Sequence, residues 1–219
     1  MSRGARRSVI ALGVTLTAVG SLLALAVRGA GPLPGDLALT RWLQDWLPPD
    51  DLAGSLLPYT SRIVWFLAVA FLAVTLLRRQ WLAALFVFVA GVTGLLVGDA
   101  LKLLVVRARP SAELVWVYDL SEGYSFPSTT ALLSVVLLGM ICYLAGRERP
   151  WRPFVVVVLC VWLLLVLASG ISRIYVGEHW ATDVLGGWLI GGAWLLILIA
   201  IHRWWTSRQA RPGVPQKVR

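Results

Sequence analysis

The sequence predicts an all-α fold, a polytopic membrane bundle of six transmembrane helices with both termini cytoplasmic. Three observations predict it. Hydrophobic residues make up 58% of the 219-residue chain and charged residues only 14%, too little polar surface to clothe a water-soluble globule of this size. Mean hydropathy is +0.78. The apolar residues gather into six runs of roughly the length that crosses about 30 Å of hydrocarbon as a helix.

The runs fall near 8–28, 60–77, 81–106, 128–146, 153–171 and 183–202. The first follows Arg3, Arg6 and Arg7 and superficially resembles a secretory signal, but its apolar stretch is longer than a signal core, so a retained helix is expected. Residues 29–59 form an extracytoplasmic connector. Within it, Trp42, Leu43, Trp46 and Leu47 alternate with Asp36, Asp45, Asp50 and Asp51, which predicts a short amphipathic helix on the outer leaflet before the Pro48-Pro49 break. The membrane domain occupies 1–206. The remainder, 207–219, is a basic cytoplasmic tail whose polar composition predicts disorder.

Thirteen of the 20 basic residues fall at the N-terminus, in the turns at 78–79 and 147–152, and in the tail, and the positive-inside rule makes that side cytoplasmic. The seven exceptions are Arg28, Arg41, Arg62, Lys102, Arg107, Arg109 and Arg173. Four of them belong to or adjoin the polar blocks described next. Trp42, Trp46, Trp116 and Trp180 are expected at the outer interface, and Trp81, Trp151, Trp204 and Trp205 at the inner one. The net charge of +9 does not indicate nucleic acid, because the basic residues punctuate apolar runs instead of lining one exposed face. Cys142 and Cys160 lie inside apolar runs and have no metal-ligand spacing.

Three polar blocks face the outer side. In the first, Lys102 and Arg109 are seven residues apart, near two helical turns, so a continuous helix would point both the same way, while Pro110 pushes Arg109 toward extended backbone. Asp99, one turn earlier, can neutralise Lys102. In the second, Pro127-Ser128 before an apolar run marks a helix start, whose hydroxyl and first-turn amides can hold an anion. In the third, His179 and Asp183 are four apart and share a face if the last helix begins near Gly177. The carboxylate can then hold the imidazole neutral and oriented as a nucleophile. Arg173, in the connecting loop, offers a planar fork of donors to phosphate oxygens. Each block alone has a structural explanation: snorkelling cations, an ordinary helix cap, a satisfied His–Asp pair. Their placement on one membrane face favours a phosphoryl-transfer site, since charged groups beside lipid are costly.

With KLLVVRARP at 102–110 and SRIYVGEHWATD at 172–183, the sequence resembles the type-2 phosphatidic acid phosphatase family of membrane lipid phosphatases, related by fold to vanadium-dependent haloperoxidases. The likeness covers about 85 residues, Asp99 to Asp183. It implies that Lys102, Arg109, Arg173, Ser128 and the neighbouring Thr129 bind the substrate phosphate, that His179 attacks phosphorus to form a phosphohistidine, and that Asp183 orients the ring. It implies neither metal nor cofactor. The partners it implies are a lipid phosphate or diphosphate substrate and the bilayer. The middle block departs from the pattern: it reads FPSTTA at 126–131, so Thr130 stands where the family has the histidine that protonates the leaving group. Losing a positioned acid costs about 10²- to 10⁴-fold. A lipid monophosphate leaving from a diphosphate, with a pKa near 6, needs that proton far less than an alkoxide does. An active chain is therefore expected to favour a polyprenyl diphosphate, such as undecaprenyl diphosphate, over phosphatidic acid. A lipid-phosphate-binding relative without turnover, or an engineered variant of an active phosphatase, are the other readings of Thr130. A transporter is disfavoured because the charges gather at one interface and not at the midplane.

Overall fold

The computed structural model describes residues 3–47, 59–118, 121–148 and 151–209, and all regular structure among them is helical. We number the helices α1 (Arg3–Ala26), α2 (Pro34–Trp46), α3 (Thr60–Leu77), α4 (Trp81–Val105), α5 (Thr129–Glu148), α6 (Arg152–Tyr175) and α7 (Ala181–Gln209). Five of them, α1 and α4 to α7, are long and apolar enough to cross a membrane, and the apolar part of α3, Arg62–Leu77, is shorter. The polar tail beyond Gln209 and the Pro48-Pro49 break with Asp50 and Asp51 lie outside the described residues.

The core is built around α5. Leu132, Leu133, Val136, Leu137 and Met140 are buried against Phe86, Val87 and Ala90 of α4 and against Leu195 and Leu198 of α7. α7 packs on α1, α2, α4, α5 and α6. It approaches α5 closely because its first turns carry glycine: a Cβ at Gly187 would lie 2.6 Å from the Ser128 carbonyl, and one at Gly191 2.8 Å from that of Leu132. Small residues that let helix backbones meet are the usual device where lipid supplies no hydrophobic drive. A π-helical turn at Ser134–Leu138 interrupts α5 one turn past the second polar block, an irregularity frequent near functional sites. The outward faces stay apolar: Phe66 is 71% exposed, Leu103 72% and Leu164 66%, surface suited to lipid and costly in water.

α4 ends at Val105, within a residue of the predicted run, and Val106 is left-handed at φ 54°, so no continuous helix joins Lys102 to Arg109. The predicted boundaries shift in three other places. α6 continues to Tyr175, which puts Arg173 in its last turn and not in the connecting loop. α7 begins at Ala181, so His179 precedes it, and the His179–Asp183 spacing is that of a helix entry, not of one helical face. α2 begins at Pro34 and its Asp36 is 1% exposed, not a member of the solvated face. The Asp36 carboxylate explains this, because it is consumed by hydrogen bonds inside the protein.

Candidate active site

Between α6 and α7 the chain turns at Gly177, φ 71°, where a side chain would strike the carbonyl of Trp116. Left-handed backbone and close approach together require glycine. The turn folds back on Arg173, whose carbonyl accepts hydrogen bonds from the amides of Glu178 (3.2 Å) and His179 (3.1 Å). The His179 imidazole is thereby delivered to the head of α7, where it is 4% exposed.

Asp183 is the hub beneath it. Its Oδ2 accepts a hydrogen bond from the Trp180 amide at 2.8 Å and a short one from the Ser125 hydroxyl, and its Oδ1 lies 2.5 Å from Nη1 of Arg107. His179 Nδ1 stands 3.8 Å from Oδ2 and 3.5 Å from Ser125 Oγ. Carboxylate and ring are thus in ion-pair range with the serine hydroxyl beside both, and the direct hydrogen bond expected from the sequence is not formed. Burial is the chief cause that holds the His179 pKa below its ordinary value, helped by Arg109 and opposed by Asp183 and Glu178. The ring is therefore neutral at neutral pH, the form a nucleophile needs.

Arg107 and Asp36 hold Asp183 in place, and neither was selected from the sequence as a site residue. Both side chains are fully buried, with Arg107 Nη2 2.6 Å from Asp36 Oδ2. Arg107 also donates to Thr182 Oγ1 at 2.7 Å and to the Gly31 carbonyl at 3.1 Å. Asp36 accepts from the Thr182 amide at 2.9 Å, capping α7, and from the Leu33 amide at 2.9 Å, capping its own helix. A buried ion pair with every oxygen satisfied is costly to break, about 3–5 kcal/mol when one partner is removed. The available signal for Arg107 was its place among the basic residues on the wrong side of the charge bias. Asp36, 71 residues away, gave none.

Of the predicted phosphate-binding residues, the structure brings Arg109 and Arg173 to the His179 turn. Arg109 donates from Nη1 to the Glu178 carbonyl at 2.8 Å and from Nε to the Gly123 carbonyl at 3.2 Å. Burial lowers its pKa, opposed by Glu178 and Asp183, and guanidinium keeps its charge at neutral pH regardless. Arg173 is 6% exposed and donates to both carboxylate oxygens of Glu178, at 3.0 and 3.1 Å. Lys102 is half-buried on α4, with Nζ 3.8 Å from the exposed Asp99. Lys102 and Arg109 lie in electrostatic reach of one another, which ties Lys102 to the cations at the turn. Gly98, one turn before it, faces Thr129, where a Cβ would lie 3.2 Å from the hydroxyl.

Ser128 is the N-cap of α5, as its position predicted: its Oγ accepts from the Ala131 amide at 3.4 Å, while its own amide donates to the Asp183 carbonyl at 3.0 Å. That engages part of the helix start expected to be open to an anion. The Thr129 hydroxyl is buried with no hydrogen-bond partner among the described residues, and Thr130 follows, half-buried, in the same turn. Trp180 is 1% exposed, its Nε1 donating to the Ala108 carbonyl at 3.2 Å, so it packs under the site and is not part of an outer aromatic belt. Trp42 and Trp46 are exposed as that belt requires, at 57% and 67%. Among the described residues no group of three or more His, Cys, Asp or Glu side chains is placed to hold a metal ion.

The fold is thus a helical bundle that gathers a buried histidine, a hub aspartate and three arginines at one end. Residues 81–207 match the family model described as PAP2 superfamily, more than half of the chain, and the chain belongs to that superfamily. It is similar to phosphatidylglycerophosphatase B of Bacillus subtilis, 34% identical over 52% of this chain and 55% of that protein. It is also similar to an undecaprenyl-diphosphatase of Sulfolobus acidocaldarius, 28% identical over 64% of each chain, and to a lipid A 4'-phosphatase of Bacteroides thetaiotaomicron, 30% identical over 73% of this chain and 74% of that one. The matched region thus spans between about half and three quarters of these relatives' lengths. A crystal structure of a transmembrane PAP2-type phosphatidylglycerolphosphate phosphatase from Bacillus subtilis shares the fold, with a TM-score of 0.75, 22% identity, and coverage of 92% of this chain and 98% of that one.

Proposed function

We propose that the protein is a membrane lipid phosphatase that hydrolyses a lipid phosphate or polyprenyl diphosphate through a phosphohistidine at His179. The observation that carries this reading is a buried imidazole beside Asp183 and Ser125, with Arg109 and Arg173 attached to the residue that precedes it. Nδ1 faces the Asp183–Ser125 side, which leaves Nε2 to attack phosphorus. The P–O bond to the lipid breaks and its electron pair leaves with the lipid oxygen; water then attacks phosphorus, the P–N bond breaks with its pair returning to Nε2, and inorganic phosphate is released. Arg109, Arg173, Lys102, the Thr129 hydroxyl and the amides at the start of α5 are the donors we assign to the equatorial oxygens, where preorganised positive charge supplies most of the rate. Ser128 acts as the cap that presents those amides.

In the membrane reading, α1 and α3 to α7 are six crossings with both termini cytoplasmic and the His179 end extracytoplasmic. The charge bias supports this orientation. Thr130, which has no acidic proton to give near neutral pH, favours a substrate whose leaving group is already stable, a polyprenyl diphosphate over phosphatidic acid. The same residue is what favours the second reading, a lipid-phosphate binder with impaired or no turnover. Phosphate release from undecaprenyl diphosphate and from phosphatidic acid, measured for the chain, Thr130→His and His179→Ala, separates the two. Diphosphate hydrolysis that is lost in His179→Ala upholds the enzyme. An inert chain awakened by Thr130→His upholds the impaired relative, and activity surviving His179→Ala removes the nucleophile assigned here.

A further inference from the structure

Glu178 is an acid set among cations. Its carboxylate takes two hydrogen bonds from Nη1 of Arg173, at 3.0 and 3.1 Å, and its carbonyl takes one from Arg109 at 2.8 Å. A carboxylate thus sits on a guanidinium that the proposed function gives to the substrate's phosphate. Arg173 is almost wholly buried, its side chain 7% exposed, while that of Glu178 is 18% exposed. A buried guanidinium without an anion is expensive, and Glu178 supplies one from within the chain. Being the more exposed partner, Glu178 is the one able to turn toward water when another anion arrives.

Arriving anions differ in charge. A phosphodiester lipid brings a single negative charge, no more than the carboxylate it must replace. A terminal phosphate brings about −1.5 to −2 near neutral pH, enough to engage Arg173 and still share charge with Arg109 and Lys102. We infer that Glu178 is a specificity-determining residue: its carboxylate occupies Arg173 as an internal counter-ion that a terminal lipid phosphate displaces and a singly charged phosphodiester lipid does not. The inference rests on Arg173 being a phosphate-binding residue. It explains how a cationic site bathed in phosphodiester headgroups stays available to a scarce phosphomonoester or diphosphate. The competing explanation is a brace: the amides of Glu178 and His179 already clamp the turn onto the Arg173 carbonyl, and the side chain could merely reinforce it.

The two differ in sign. Orthovanadate, buffered above its second pKa so that it is doubly charged like a terminal phosphate, is titrated calorimetrically into the full-length protein in neutral detergent micelles, with and without added phosphatidylglycerol, for the wild type, Glu178→Gln and Arg173→Ala. Glu178→Gln keeps shape and one of the two acceptor oxygens but removes the charge. It is expected to bind orthovanadate roughly two- to fivefold more tightly and to become sensitive to phosphatidylglycerol, which competes weakly in the wild type. Unchanged or weakened orthovanadate binding in Glu178→Gln overturns the inference in favour of the brace. Tighter binding with no gain in phosphatidylglycerol competition overturns the discrimination between lipid classes. Unaltered orthovanadate affinity in Arg173→Ala instead overturns the assignment of Arg173 to phosphate, a separate failure read from a separate variant.

Discussion

Both histidines of the chain are buried to the same degree, 4% exposed, and they bracket the same long helix, His179 just before α7 and His202 near its other end. Their surroundings have little in common. His202 Nδ1 is 3.0 Å from the Tyr143 hydroxyl, and its ring meets Phe86 and Tyr143 edge to face, with centroids 4.8 and 5.3 Å away. His179 faces Asp183 and Ser125, has Arg109 and Glu178 in electrostatic reach, and hangs on a turn that only glycine can make. Burial alone therefore distinguishes nothing. Aromatic rings pack His202, with one cation, Arg147, in reach, whereas charges of both signs and a hydroxyl surround His179, the setting we propose for a nucleophile.

The contrast predicts a series of effects of decreasing size. His179→Ala is expected to lower turnover by at least about 10⁴-fold, as loss of a nucleophile does, measured by phosphate release from a lipid diphosphate. Thr130→His should raise the rate with phosphatidic acid by about 10²- to 10⁴-fold and the rate with a polyprenyl diphosphate by less. Equal gains on the two substrates would refute the leaving-group argument. Arg107→Met leaves Asp36 and Asp183 buried without their cation and should cost about 3–5 kcal/mol of stability, read by denaturation in detergent. Arg107→Lys restores charge without the two-armed fork and should recover only part of it.

Smaller effects follow from proton occupancy. Because burial depresses the His179 pKa below its ordinary 6.5, the neutral ring persists at neutral pH. Log kcat/KM should be level there and fall only as pH drops through the depressed value, about tenfold per pH unit below it. An acid limb centred above 6.5 on a water-soluble substrate would contradict the burial seen here. Last, His202→Phe should leave turnover unchanged and cost about 1 kcal/mol for the lost Tyr143 hydrogen bond, so any large loss of activity would erase the distinction between the two ends.

Hydropathy and charge spacing made much of this legible in advance. The apolar runs map onto α1 and α3 to α7 within a few residues at most ends, because a helix in lipid must satisfy its own backbone and so leaves a continuous apolar signature. The blocks holding Arg109, Ser128, Arg173 and His179 were visible as polar groups in places where lipid would penalise them. Nothing in the sequence marks Ser125 beside the conspicuous Pro127-Ser128, although its hydroxyl is closer to both His179 and Asp183 than they are to each other. The end of α4 was legible to within a residue, but not the left-handed turn at Val106 that makes it, a conformation its residue type disfavours.

The sequence by itself determined an all-helical chain of the PAP2 type with its cationic and imidazole groups at one end, because periodicity, spacing and composition are local properties. Only the tertiary structure decided which groups hold Asp183 and which anion rests on Arg173. Asp36 and Arg107 are 71 residues apart and meet through α2 folding onto the head of α7. A buried charge is stable only beside its partner, and no pattern within one segment records where that partner lies.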